Sequence, residues 1–211
     1  MEQFKSGSNR YLIERLPEAC KLRSGEARSS LIRPNNDNKR ITVFGGSRCG
    51  PEAPEYKEAH KLGRLLVEAG FDVCSGGYAG VMEAISRGAH EAGGHVIGVT
   101  MDQFKSAPNS YLKKIEPSAD FYARLQRLIL ESAGYIALRG GMGTVTEISL
   151  VWNKLAMNLL QQRPLILLGE CWPRAIECLR EHLVVSDADM THLSFAATAE
   201  EAISVLKARI K

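Results

Sequence analysis

The chain alternates short, almost wholly apolar runs with longer stretches in which apolar residues recur every three or four positions. Ile41 to Phe44, Phe71 to Cys74, His95 to Val99, Tyr135 to Leu138, Pro164 to Leu168 and the weaker Leu193 to Ala196 have the length and make-up of strands. Between the first two, Pro54 opens a helix whose buried stripe is Tyr56, Ala59, Gly63, Leu66 and Val67. A glycine turn after Cys74 leads into a helix that runs through Ala92, and another is expected from about Pro117-Ser118 to Ala133. Thr198-Ala199-Glu200-Glu201 opens the last helix with a capping box. Strands apolar on both faces and separated by helices predict a parallel sheet covered on both sides. The expected fold is therefore α/β, a doubly wound, Rossmann-like sheet of about six strands with helices on both faces.

Residues 1–38 break this pattern. They are rich in Arg, Glu, Ser and Asn, and end in Pro34-Asn35-Asn36-Asp37-Asn38. This segment reads as an N-terminal extension with one short helix around Asn9 to Cys20, followed by a linker; residues 39–211 read as one nucleotide-binding domain.

Composition narrows the classes. With 211 residues, 45% hydrophobic and 24% charged, the chain can bury one substantial core. A net charge of +3, with no run of lysines or arginines, gives no reason to expect a nucleic-acid partner. The five cysteines, Cys20, Cys49, Cys74, Cys171 and Cys178, are odd in number and widely spaced, which fits a reduced, cytoplasmic protein. No apolar run is long enough for a signal peptide or a membrane span. His60, His90 and His95 are too scattered to predict a metal site.

Ligands of such a sheet bind at the carboxyl ends of its strands. Three loops there are rich in glycine: Gly45-Gly46-Ser47-Arg48, Ser75-Gly76-Gly77-Tyr78-Ala79-Gly80 and Arg139-Gly140-Gly141-Met142-Gly143-Thr144. Glycines let backbone N–H groups approach an anion, and the following helix N-termini favour phosphate. None is a P-loop, and none matches the dinucleotide fingerprint. Glu147 has two readings: the acid of a capping box with Thr144, or a carboxylate facing the sugar of a bound nucleotide. Arg124, expected early in its own helix, can meet Glu147 over the third loop. Cys49, in the first loop, is either a reactive thiol or an inert one.

Gly76-Gly77-x-x-Gly80-Val81-Met82-Glu83-Ala84 and Gly140-Gly141-x-Gly143-Thr144-x-x-Glu147, with Arg124 upstream, resemble the LOG family. These are Rossmann-like proteins typified by cytokinin riboside 5'-monophosphate phosphoribohydrolase and often mislabelled "lysine decarboxylase". The resemblance covers roughly residues 40–170. It implies hydrolysis of the N-glycosidic bond of a nucleoside 5'-monophosphate to free base and ribose 5-phosphate, with no cofactor and no metal. By that resemblance Arg124 and Glu147 are the catalytic pair and Gly140 to Thr144 the phosphate cradle. Gly45, Gly46, Ser47, Arg48, Gly76, Gly77, Gly80, Met82, Glu83 and Arg139 complete the binding set. The resemblance also implies a homodimer with the active site near the subunit interface.

Departures from the family pattern bear on substrate. Arg139 stands where a proline is usual, Met142 where an aromatic residue follows, Thr146 replaces a carboxylate, and Tyr78 takes a glycine position. A second class stays open: a non-catalytic carrier of a phosphorylated ligand such as molybdenum cofactor, since such carriers share the Gly-Gly-x-Gly-Thr loop. A pyridoxal-phosphate decarboxylase is not expected, because Lys154 lies two turns beyond Glu147, away from the loops.

Overall fold

The computed structural model describes residues 39–210, so the helix expected around Asn9 to Cys20 lies outside the described residues. Seven strands form one sheet: β1 (Arg40–Phe44), β2 (Asp72–Ser75), β3 (Val96–Met101), β4 (Lys114–Ser118), β5 (Gly134–Ala137), β6 (Leu165–Leu168) and β7 (Leu193–Ala196). Their order is β4-β3-β2-β1-β5-β6-β7, and every neighbouring pair is parallel. The helices are α1 (Pro54–Glu68), α2 (Val81–Glu91), α3 (Phe121–Leu130), α4 (Met142–Ala156), α5 (Cys171–His182), the single turn α6 (Asp187–Met190) and α7 (Ala199–Arg209). None is long and apolar enough to cross a membrane.

Period-two alternation sorts the strand side chains into two cores. Ile41, Val43, Ile136, Leu138, Ile166 and Leu168 pack on one face beneath α1, α2 and α7. Phe44, Tyr135, Ala137, Leu165 and Leu167 pack on the other beneath α3, α4 and α5. The doubly wound α/β architecture is thus the one the apolar runs predict, because strands buried on both faces need helices on both.

The sheet has seven strands rather than about six. The additional one, β4, reads Lys-Ile-Glu-Pro-Ser and buries only Glu116 and Ser118, too polar a pattern to announce itself. Pro117, expected at a helix start, instead lies in this strand, where an edge position tolerates the missing N–H. Helix α3 accordingly begins at Phe121, and the Asp120 side chain caps it by accepting the Ala123 N–H at 2.8 Å. In α1, Leu62 joins the buried stripe, and Val67 is half-buried against the same core. At α7 half of the expected capping box forms: Thr198 accepts the Glu201 N–H at 3.3 Å, while Glu201 reaches back to the Ala197 N–H at 2.8 Å.

The chain winds outward from β1 through β2 and β3 to β4, then returns through α3 to β5 on the opposite side of β1. This reversal opens a crevice at the carboxyl ends of β1 and β5, the place where open α/β sheets bind ligands.

Candidate active site

The glycine loops are tied together at that crevice. The Gly46 N–H donates to the Arg139 carbonyl oxygen at 3.1 Å, and the Gly46 carbonyl oxygen accepts the Val81 N–H at 2.8 Å. Helix α4 starts from Gly141, which supplies no side-chain cap, and its first residues, Met142 to Thr144, line the crevice. A Cβ on Gly140 would stand 2.1 Å from Thr144 Oγ1. Glycine there lets the first helical turn fold back against the loop and bury Thr144. Amides left uncapped at a helix N-terminus can accept an anion.

The start of α4 also resolves Glu147. Thr144 lies inside the helix rather than at its cap, so Glu147 is no capping residue and belongs to the second turn. Its carboxylate faces Arg124, with Nη1 to Oε1 at 3.6 Å and side-chain exposures of 8% and 12%. That separation is an ion pair beyond hydrogen-bond distance, which leaves the carboxylate oxygens available to another group. Arg124 is held elsewhere: its Nε donates to the Val99 carbonyl oxygen at 2.9 Å. Its guanidinium lies over Gly76, where a Cβ would come within 2.1 Å of Nη2. Burial pushes the Glu147 carboxyl up to about 7 against the opposing pull of Arg124. A carboxyl that titrates near neutral pH is suited to moving a proton.

Around this pair runs a cleft of about 910 Å³. Of the catalytic pair and the binding set named from the sequence, Gly45, Gly46, Ser47, Arg48, Gly76, Met82, Arg124, Arg139, Gly140, Gly141, Met142, Gly143, Thr144 and Glu147 line it. Three others do not. Gly77 and Gly80 shape the second loop with φ of +79° and +70°, and Glu83 accepts the Tyr56 hydroxyl at 3.1 Å. Arg139 sits at the rim, 70% exposed, paired with Glu55 at 3.1 Å. Burial pushes the Cys49 thiol up, which favours the inert reading of that residue. Trp152 is half-buried, and its indole N–H donates to the Asp189 carbonyl oxygen at 2.7 Å.

Of the aromatic end of the cleft, Tyr78, Phe104 and Phe121, sequence reasoning singled out Tyr78 alone, as a departure from the family pattern. The Tyr78 hydroxyl accepts the Met101 N–H at 2.9 Å and donates to the Met101 carbonyl oxygen at 3.2 Å, and its ring meets Phe104 at 5.4 Å. Tyr78 lay inside a glycine loop and was within reach of the sequence. Phe104 was not, because the β3–β4 connection has neither glycine pattern nor helical period.

Residues 38–203 match the SLOG cluster4 family. A cytokinin riboside 5'-monophosphate phosphoribohydrolase of Arabidopsis thaliana is 34% identical over 126 residues, 57% of this chain and 58% of that protein. The chain thus matches little more than half the length of that relative. Among solved structures, TM1055, a structural genomics target, is 30% identical with a TM-score of 0.66, over 81% of this chain and 99% of that one. The molybdenum cofactor binding protein of the phototrophic bacterium Rippkaea orientalis is 25% identical with a TM-score of 0.66, over 84% of this chain and 98% of that one.

Proposed function

The chain belongs to the SLOG cluster4 family, and from that premise we propose that it hydrolyses the N-glycosidic bond of a nucleoside 5'-monophosphate. The observation that carries the reading is the order of chemistry along the sheet edge. The uncapped glycine loop follows β5, Arg124 lies over Gly76 after β2 with Glu147 3.6 Å from it, and Phe104 follows β3. In the order β5-β1-β2-β3 these span three strand spacings, about 14 Å at ~4.8 Å each. Anion site, carboxylate and aromatic surface thus run in the order phosphate, sugar, base.

In this mechanism the phosphate sits on the Gly141 to Thr144 amides and the base stacks toward Phe104 and Phe121. Water attacks the anomeric carbon as the C–N bond breaks. Glu147, as carboxylate, takes the water proton and stabilises positive charge on the ribose. The bonding pair leaves with the base, which takes the proton from Glu147 and so restores its carboxylate, and ribose 5-phosphate remains. Arg124, anchored on Val99, orients Glu147. The test is a hydrolysis assay on a panel of nucleoside monophosphates: base and ribose 5-phosphate should appear together, and Glu147→Gln should stop both.

A carrier of a phosphorylated pterin is the second reading. The likeness to the Rippkaea orientalis protein over nearly its whole length favours it. Copurification of a pterin chromophore, with no base released from any nucleotide, would decide for it.

We also propose a homodimer, as the family resemblance implies. Tyr122 and Met142, 81% and 77% exposed, put apolar surface beside the cleft.

A further inference from the structure

Glu147 lies inside the cleft, and a second acid, Glu55, stands at its mouth. Glu55 is in the first turn of α1, and its Oε1 accepts from Arg139 Nη1 at 3.1 Å. The two residues are 84 positions apart and bridge the crevice between β1 and β5. Arg139 is anchored by its backbone, whose carbonyl oxygen takes the Gly46 N–H, while its side chain is 70% exposed. Apart from Glu55, its exposure leaves the guanidinium room to change partner, and Arg139 directly precedes the loop that lines the crevice. An exposed carboxylate–guanidinium pair is weak, whereas a guanidinium that grips a phosphate through two hydrogen bonds holds more strongly.

We propose that Glu55 is a resident stand-in for substrate phosphate. Without ligand it holds Arg139 across the cleft mouth; when a phosphomonoester seats on the Gly141 to Thr144 amides, Arg139 leaves Glu55 for the phosphate. This rests on the reading of that loop as the anion site and adds a selection rule to it. A dianionic phosphate can displace the Glu55 carboxylate from Arg139, and a neutral nucleoside cannot. Arg139, which occupies a position where the LOG pattern has proline, becomes a device for discriminating nucleotide from nucleoside.

The test is calorimetric titration of the full chain with ribose 5-phosphate and, separately, adenosine. Glu55→Gln should bind ribose 5-phosphate about 3- to 10-fold more tightly than the unaltered protein, and Arg139→Gln about tenfold more weakly. In the double variant the gain from Glu55→Gln should vanish, because the two residues act as one unit. Adenosine affinity should not respond to Glu55→Gln. Equal ribose 5-phosphate affinity for Glu55→Gln and the unaltered protein overturns the exchange and leaves the anion loop standing. So does a gain that persists without Arg139, which would reflect overall charge alone. Failure of every variant to bind ribose 5-phosphate overturns the anion loop as well.

Discussion

At the scale of single residues, Glu147 is a carboxyl kept nearly dry beside a guanidinium that does not fully compensate it. Burial raises Glu147 from its ordinary value near 4.5 to about 7, so the folded protein holds this proton more tightly than the unfolded chain does. The sign follows: folding is penalised progressively as pH rises from about 4.5 to about 7, and fully above that. The difference corresponds to on the order of 3 kcal/mol. Glu147→Gln removes the penalty, so its melting temperature should exceed that of the unaltered protein by more at pH 8 than at pH 5. An equal offset at both values would mean that Glu147 titrates normally. The same group, if it acts as carboxylate, should make kcat/KM rise with pH through an inflection near 7. Gly76→Ala tests the positioning of the pair, since the new Cβ would meet Arg124 Nη2 at 2.1 Å and Met82 Sδ at 2.7 Å. Both are ends of flexible side chains, so the fold should survive while kcat falls about 100-fold. A fall in melting temperature without loss of kcat would contradict the placement of Arg124.

Elements explain why some of this was readable and some was not. The period-two sorting of Ile41 against Phe44 and of Ile166 against Leu167 needed only alternation along the strand. The glycine loops were equally plain, because each follows an apolar run. Strand β4 was not, since an edge strand buries two side chains of five and leaves no pattern; reading Pro117 as a helix start was the cost. The two meanings of Glu147 could be separated only by knowing where α4 begins, a matter of three residues. Contacts between helices were also invisible in sequence. Helices α1 and α2 meet closely at Gly63 and Gly88: a Cβ on Gly88 would stand 1.9 Å from the His60 carbonyl oxygen. This neighbour is backbone and cannot step aside. Gly88→Ala should therefore destabilise by about 3 kcal/mol or more and lower the melting temperature by on the order of 5–10 °C. Thermal melts within a degree or two of the unaltered protein would show that the helices can separate freely.

For the whole molecule, topology does the positioning. Outward winding from β1 and return through α3 place Arg124 opposite Glu147, 23 residues apart in sequence and on different helices, over a loop from a third part of the chain. That convergence was legible because the helix feeding β5 must start at the carboxyl edge, whatever its exact first residue. The aromatic end of the cleft was not legible, because Phe104 lies in a connection without periodicity. Assembly belongs to this scale too. Light scattering should give twice the 23.2 kDa chain mass, and Tyr122→Asp should shift the protein toward the monomer; a monomeric unaltered protein would remove the proposed dimer. The central claim is most directly tested by incubating the unaltered protein and Glu147→Gln with adenosine, guanosine, cytidine and uridine 5'-monophosphates and measuring free base. Release of base with an equal amount of ribose 5-phosphate, reduced at least 100-fold in Glu147→Gln, is the predicted result. No base from any of the four, or release that Glu147→Gln leaves unchanged, would contradict it.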